Sequence, residues 1–176
     1  RDVLRILGAS GFEIGELGIT SDIHGAMDAI VAMKPDAVFN LCESIHGDNR
    51  FESLMPLLMD LAGIAYTGSC PFGLSLALRK EKVKDILRAH AVPVPRGATL
   101  VAAEDLTGLS LSFPLIVKPA REDASVGICC DSVVRSETAL AQRVTHVLEH
   151  YRQPALVEEF IEGREIYVSI LERLGQ

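Results

Sequence analysis

The fold of this chain is decided by the stretch Phe113-Pro114-Leu115-Ile116-Val117-Lys118-Pro119. Its apolar residues predict a buried strand over residues 113–118, and Pro119 fixes the backbone directly after the lysine. A lone ammonium group at the end of a buried strand is costly, so the sequence predicts an anion close to Lys118. A lysine that extends its head group to solvent is the plainer explanation for such a residue taken alone.

One helix and several strands are predicted after this stretch. An apolar residue recurs every three or four positions over residues 136–151, which predicts a helix. Short apolar runs predict further strands at 126–130, 155–160 and 164–171. This part of the chain is therefore expected to be a β-α-β arrangement, with strand pairs close enough in sequence to be antiparallel.

The first part of the chain has a different pattern. Helical spacing predicts helices over residues 22–33 and 49–62, and short apolar runs predict strands at 37–41 and 64–66. An alternation of helices with short buried strands indicates a parallel α/β sheet.

The character of the sequence changes after Ser69. A helix is predicted over residues 79–90, and the stretch Val92-Pro93-Val94-Pro95 forces extended backbone after it. We therefore expect two domains, an α/β domain over residues 1–78 and a second domain over residues 79–176.

The composition indicates a globular protein, because 48% of the 176 residues are hydrophobic and 23% are charged. A net charge of −7 without a Lys/Arg-rich stretch argues against nucleic acid as a partner. No apolar run reaches the length of about 18 residues that a membrane helix needs, and the first residues lack the pattern of a signal peptide, so neither membrane insertion nor secretion is expected. The four cysteines show no C-x-x-C spacing, and Cys129 and Cys130 are interpreted as small buried hydrophobes, which fits a reducing cytoplasm.

The loop over residues 121–127 is a candidate phosphate-binding segment. It contains small residues, and its backbone N–H groups could fold around phosphates, although an ordinary hairpin turn explains the same pattern. The motifs G-x-x-x-x-G-K-[ST] and G-x-G-x-x-G are both absent, which argues against a P-loop NTPase and a Rossmann dehydrogenase.

Several charged side chains are candidates for a binding site. Glu158 and Glu159 are neighbours in a predicted strand, so they point to opposite faces. Glu165 points away from the apolar face of its strand, where a carboxylate can accept from ribose hydroxyls or simply favour solubility. Lys82 belongs to a helix segment, residues 79–84, whose cations are typical of a solvated face.

Taken together and in order, these motifs resemble those of the D-alanine:D-alanine ligase family of ATP-grasp enzymes. The resemblance implies a partial parallel-sheet pre-ATP-grasp domain followed by the α+β central, nucleotide-binding subdomain of an ATP-grasp fold. In that family ATP phosphorylates a carboxylate, and an amine then attacks the acyl phosphate. The resemblance covers about residues 36–171 and is carried by five stretches: Tyr66-Thr67-Gly68-Ser69, Glu81-Lys82-Val83, residues 113–122, Ser125-Val126-Gly127 and residues 157–165.

The resemblance implies roles for residues at the phosphate end of ATP. Lys82 and Lys118 look like the two lysines that hold the phosphates. Residues 122–127 look like the mobile flap that covers them. Within this flap, contacts to the nucleotide are implied for Glu122, Ser125 and Val126, and Ser125 is also the implied catalytic position.

Further roles are implied at the nucleoside end. Glu158 and Glu165 resemble the carboxylates that meet the adenine amino group and the ribose. Glu159 and Ile161 would supply backbone contacts to the edge of the adenine. The implied partners are ATP and small amino-acid-like substrates, without nucleic acid or a membrane, and a homodimer is allowed.

Both ends of the family pattern are missing from the chain. The family's first strand would precede Arg1, and native sequence is expected upstream. The ligands for magnesium would follow Gln176, so the chain alone is not expected to complete catalysis.

The sequence also departs from the family pattern within the flap. Family flaps read Glu-Gly-Ser-Ser before Val-Gly, whereas this chain has Glu122-Asp123-Ala124-Ser125. A carboxylate at Asp123 would repel ATP by about 1 to 4 kcal/mol at about 4 Å if it faced the phosphates. The family's His-Gly is displaced as well, since His46-Gly47 comes late. Three alternatives stay open: a ligase for another amino acid or peptide, a nucleotide-binding module without ligase activity, and an α/β protein without a nucleotide.

Overall fold

A computed structural model describes residues 2–170 of the chain. Its contacts divide into two compact units, Arg1–Val83 and Lys84–Gln176. The division falls inside a helix, and the predicted domain boundary after residue 78 stays a prediction. None of the helices among the described residues is both long and apolar enough to cross a membrane.

The first unit is mainly helical. Asp22 begins the second helix, because its side chain accepts a hydrogen bond from Gly25 N at 2.9 Å, and Gly63 ends the third in a left-handed conformation with a φ of 68°. The sequence predicts a parallel sheet with strands at 37–41 and 64–66. In the structure these segments meet in an isolated parallel bridge between Val38 and Tyr66. The helices are α1 (Asp2–Ala9), α2 (Ile23–Met33), α3 (Leu54–Ala62) and α4 (Pro71–Ala77).

The core of the first unit lies where α2 meets α3. Its buried members are Ile30 from α2, Ile45 from the connecting loop, and Met55 and Met59 from α3. Met55 and Met59 are four residues apart and therefore lie on the same face of α3. The helix α5 (Lys80–Ala89) follows and carries the chain from the first unit into the second.

The second unit is built on a four-stranded antiparallel sheet with the order β1-β4-β2-β3. A long helix, α6 (Glu137–His150), packs on one face of this sheet. Ser136 begins α6, since its hydroxyl accepts a hydrogen bond from Ala139 N at 3.3 Å. The strands are β1 (Gly97–Leu100), β2 (Leu115–Pro119), β3 (Val133–Val134) and β4 (Ala155–Glu159).

The alternation of side chains along the strands separates two faces of this sheet. Val117 of β2 and Val157 of β4 point towards α6 and are fully buried against Val144 and Val147. Lys118 and Glu158, each one residue further along its strand, therefore point to the opposite face. That opposite face carries the charged side chains of the candidate site.

Two strand predictions are wrong. Residues 126–130 form turns and the start of a 3-10 helix, because the backbone at Gly127 has a φ of 75°, which no strand contains. Residues 164–170 contain no strand either, since no described strand pairs with them and their apolar side chains are exposed. Residue 171, which completes that prediction, lies outside the described residues. The helices predicted at 22–33, 79–90 and 136–151 and the strands predicted at 113–118 and 155–160 are confirmed to within about two residues at each end. The helix predicted at 49–62 begins later, at Leu54, because Asn49–Phe51 form a 3-10 helix instead.

Candidate functional site

A buried carboxylate lies between two ammonium groups on the face of the sheet that points away from α6. Glu158 on β4 supplies the carboxylate, and Lys118 on the neighbouring strand β2 and Lys84 on α5 supply the ammonium groups. Lys118 Nζ donates to Glu158 Oε2 at 2.5 Å, and Lys84 Nζ donates to Oε1 of the same carboxylate. We call these residues the Lys84–Glu158–Lys118 cluster.

The strand register explains why Glu158 and Lys118 meet. Glu158 lies directly across from Ile116, and Lys118 follows Ile116 by two residues on the same face. Such diagonal neighbours in a sheet are within reach of long side chains. The anion predicted beside Lys118 is therefore present within the protein as a carboxylate.

Burial and charge act in opposite directions on Glu158. Burial alone raises the pKa of this carboxyl group, but hydrogen bonds from Lys118 and Lys84 outweigh it and hold the pKa below its usual range. Glu158 is therefore ionised at neutral pH, and the cluster of one anion and two cations carries an excess positive charge.

The two lysines differ in their access to solvent. The side chain of Lys84 is 10% exposed and that of Glu158 is 5% exposed, whereas that of Lys118 is 22% exposed. Lys118 is consequently the member of the cluster that is best placed to meet an anionic ligand.

Lys84 was missed by the sequence prediction, which treated the cations of residues 79–84 as a solvated face. The structure corrects this for Lys84, which is buried, while Lys82 is exposed. Residues two apart on a helix point in nearly opposite directions, which explains why Lys84 is buried and Lys82 is exposed. A signal for Lys84 was present, because it lies three residues before Leu87 and next to Val83, within the apolar stripe of α5.

Glu159 has partners of its own, separate from those of Glu158. Its Oε1 accepts from Ser112 N at 2.9 Å and pairs with Arg96 Nη1 at 3.3 Å. Its backbone N–H donates to the Arg96 carbonyl at 2.9 Å. Ile161, two residues after the end of β4, is exposed.

Residues 122–127, which we call the flap loop, fold as tight turns. Glu122 Oε1 accepts from Gln153 Nε2 at 2.7 Å, while the next four residues are exposed. Ala124 and Ser125 have φ values of 42° and 62°. The Val126 N–H donates to the Asp123 carbonyl at 2.8 Å, so it serves the loop itself.

Glu165 does not join the cluster. Its side chain is exposed and accepts a hydrogen bond from the Tyr167 hydroxyl at 3.3 Å. The structure brings together Lys118 and Glu158 from the predicted site and adds Lys84.

Two further expectations concern sulfur and metal. Cys129 and Cys130 are exposed, so their interpretation as buried hydrophobes is wrong. The reason is the turn that replaces the predicted strand at 126–130. Among residues 2–170, no group of three or more His, Cys, Asp and Glu side chains is arranged to hold a metal ion.

Comparison with known sequences identifies relatives of the chain. Residues 99–175 match the family model described as D-ala D-ala ligase C-terminus. Uncharacterized protein y4sG of Sinorhizobium fredii is 40% identical over 134 residues, which cover 76% of this chain and 38% of that protein. The D-alanine--D-alanine ligase of Methylocella silvestris is 31% identical over 168 residues, which cover 95% of this chain and 52% of the ligase.

Solved structures show the same likeness. The VanG D-Ala:D-Ser ligase of Enterococcus faecalis is 26% identical with a TM-score of 0.58, over 73% of this chain and 37% of that one. The D-alanine--D-alanine ligase of Bacillus anthracis is 22% identical and shares the fold with a TM-score of 0.68, over 92% of this chain and 51% of that one.

The chain spans about half the length, or less, of these relatives. Within that span the family match, the similar ligases and the shared fold agree with one another. The resemblance inferred from the motifs is confirmed: residues 99–175 belong to the D-ala D-ala ligase C-terminus family, and the chain is similar to D-alanine–D-alanine ligases over most of its length.

Proposed function

We propose that the full-length protein carrying this chain is an ATP-dependent carboxylate-amine ligase that acts through an acyl phosphate. The observation that supports this function best is the Lys84–Glu158–Lys118 cluster, because it keeps a partly exposed ammonium group beside a buried carboxylate on a ligase-like fold. Phosphoryl transfer depends mainly on positioning and on neutralising the charge of the phosphates. Lys118 is the residue we assign to that task.

The cluster also suggests how Lys118 is released to a ligand. If Lys118 Nζ turned to a phosphate, a buried carboxylate with no other partner would be left uncompensated, which costs several kcal/mol. Lys84 removes most of that cost, because it stays on Glu158 Oε1. Lys84 therefore stabilises the arrangement in which Lys118 holds the nucleotide.

The remaining assignments from the family resemblance stay part of this proposal. They place Lys82 at the phosphates, Glu165 at the ribose and Ser125 in the flap loop as the catalytic position. The excess positive charge of the cluster fits a nucleotide phosphate, and magnesium would reduce the charge that the lysines must neutralise.

A second candidate function is nucleotide binding without ligation, or ligation of another amino acid or peptide. It is favoured by Asp123 and Ala124, which are exposed at the tip of the flap loop where the family has small and hydroxyl side chains. A carboxylate at the tip of the flap loop repels phosphates and would disfavour catalysis there. The Lys84–Glu158–Lys118 cluster keeps its excess positive charge, which still favours nucleotide binding.

The proposal is tested with the full-length protein by calorimetric ATP binding and by ADP release with a panel of D- and L-amino acids. Lys118→Ala should weaken ATP binding about ten-fold or more, since a charge-assisted contact is worth about 1.5 to 3 kcal/mol. Lys34→Gln, which changes a lysine of the first unit, is the matched control. Unchanged ATP affinity in a folded Lys118→Ala variant would remove the assignment, and ATP binding without ADP release for any amine would favour the second candidate.

A further inference from the structure

The side chain of Gln153 binds the first end of the flap loop. Gln153, in the turn between α6 and β4, accepts from Arg121 N through Oε1 at 2.7 Å and donates to Glu122 Oε1 through Nε2 at 2.7 Å. One amide group therefore binds both the backbone and the side chain at the start of the loop. Two hydrogen bonds from a single half-buried group fix the position and the direction of the chain there.

A second side chain holds the other end. Arg143 of α6 donates through Nη2 to the Gly127 carbonyl at 2.5 Å and to Ser132 Oγ at 3.0 Å. Ser132 is fully buried, and its hydroxyl also accepts from Cys129 N at 3.0 Å. Arg143 thus ties the last residue of the loop to a fixed point in the second unit.

The contacts of Arg143 indicate a role at this loop. Among the described residues, no carboxylate pairs with the Arg143 guanidinium. The Arg143 Nε is buried, and none of these residues accepts a hydrogen bond from it. Leaving such a donor unpaired costs about 1 to 3 kcal/mol. Arg143 therefore contributes to the stability of the fold mainly through its hydrogen bonds to Gly127 and Ser132.

Packing reinforces the second end. A side chain at Gly127 would come within 2.5 Å of Pro119 Cγ and 3.0 Å of Tyr151 Cζ, and the φ of 75° is itself unfavourable for other residues. Gly127 therefore sits against Pro119, the residue that directly follows Lys118. The end of the loop therefore lies against the end of β2, the strand that carries Lys118.

Between the two ends, residues 123–126 are exposed and bonded mainly among themselves. We propose that Gln153 and Arg143 are positioning residues that anchor the two ends of the flap loop, so that only its tip, residues 123–126, moves over the nucleotide. The anchoring itself is independent of any ligand, whereas its role over a nucleotide rests on the proposed function.

The anchoring is tested without nucleotide, by NMR order parameters of backbone amides in the full-length protein. The amides of Glu122 and Gly127 should be as ordered as rigid backbone, about 0.85, with lower values at Ala124 and Ser125. In Gln153→Ala the value at Glu122 should fall below about 0.6, and in Arg143→Ala the same fall should occur at Gly127.

Matched controls separate anchoring from general loosening. Gln142→Ala and Arg135→Ala, at exposed positions on α6 and just before it, should leave all these values unchanged. Gln153→Glu should free Glu122 through repulsion between carboxylates, and the exchanged pair Glu122→Gln with Gln153→Glu should restore its order, because donor and acceptor are swapped. Arg143→Lys, which keeps one cationic donor, should recover part of the order at Gly127.

Two results would overturn the proposal: ends of the loop that keep their order in both alanine variants, or a wild-type tip as rigid as its ends. A second measurement addresses the nucleotide. If the anchors position the tip, each alanine variant should raise the KM for ATP about five-fold or more while its Tm stays within about 3 °C of the wild type. A wild-type protein that binds no ATP would refute the proposed function, and the order parameters would still decide the anchors.

Discussion

Gly97 lies directly across from Glu158 in the pairing of β1 with β4, and a methyl group at Gly97 would lie 2.9 Å from Glu158 Cγ and 2.5 Å from the Val157 carbonyl oxygen. Both distances are shorter than nonbonded contacts allow. The glycine therefore leaves the space that the carboxylate occupies between its two lysines.

Gly97→Ala is consequently expected to destabilise the second unit. The carbonyl oxygen belongs to a strand and cannot move aside, so the sheet or the carboxylate must shift, at a cost of about 1 to 3 kcal/mol. Urea denaturation measures the free energy of unfolding. Gly163→Ala is the control, because nothing lies within 4 Å of a side chain placed there. Equal unfolding curves for the two variants would contradict the assignment of Gly97 as a space-making residue.

Lys84 and Lys82 are expected to respond differently to replacement by methionine, which keeps the length of the side chain but removes the charge. Lys84→Met should lower the free energy of unfolding by up to about 3 kcal/mol, the lower end of the range for a broken buried ion pair, because Lys118 still neutralises Glu158. Lys82→Met changes an exposed side chain and should cost less than about 1 kcal/mol. Thermal unfolding of both variants compares them, and a larger loss in Lys82→Met would contradict the burial of Lys84.

The elements that sequence predicts well are those with a long, regular apolar pattern. The helix α6 matches its prediction to one residue at each end, since four buried or half-buried positions recur at helical spacing and Ser136 begins the helix. The strands β2 and β4 match as well, because their apolar runs are interrupted by charged residues only where the site lies.

The rest depended on contacts between residues distant in sequence. The run from Val126 to Cys130 is apolar, but left-handed backbone at Ser125 and Gly127 turns it out of any sheet. Lys84 is buried because it meets Glu158, which is 74 residues away and invisible to local periodicity. Lys118 could be singled out from the sequence because the apolar residues next to it already show that its charge needs a partner. That this partner is Glu158 depends on the pairing of β2 with β4, which the local sequence does not show.

The cysteines should differ in their rates of alkylation by iodoacetamide. Burial raises the pKa of the Cys42 thiol by more than the hydrogen bond to the Ser44 carbonyl lowers it, and the charge of Glu52 raises it further. The thiolate is the reactive form, so Cys42 should be labelled more slowly than the exposed Cys129 and Cys130. Mass spectrometry of peptides over time measures each rate. Cys42 labelled as fast as Cys129 would show that the first unit opens around it.

The last prediction concerns the pH dependence of stability through Glu158. Because its pKa is lower in the folded protein than in the unfolded chain, its ionised form stabilises the fold at pH values above the unfolded pKa of about 4.3. That contribution is lost as the pH falls through the folded pKa. Glu158→Gln removes the charge at every pH, and a protonated glutamate is close to glutamine in shape and charge.

The difference in unfolding free energy between the wild type and Glu158→Gln should therefore be constant near neutral pH and shrink below about pH 4.3. Urea denaturation measures the difference at pH values from about 3 to about 8, a range that extends below and above the unfolded pKa. Glu162→Gln, which changes an exposed carboxylate just after β4, is the matched control and should show a smaller difference throughout. A wild-type advantage that persisted undiminished in acid would mean that Glu158 is stabilised by its packing rather than by the charges of Lys84 and Lys118, and the cluster would lose its electrostatic basis.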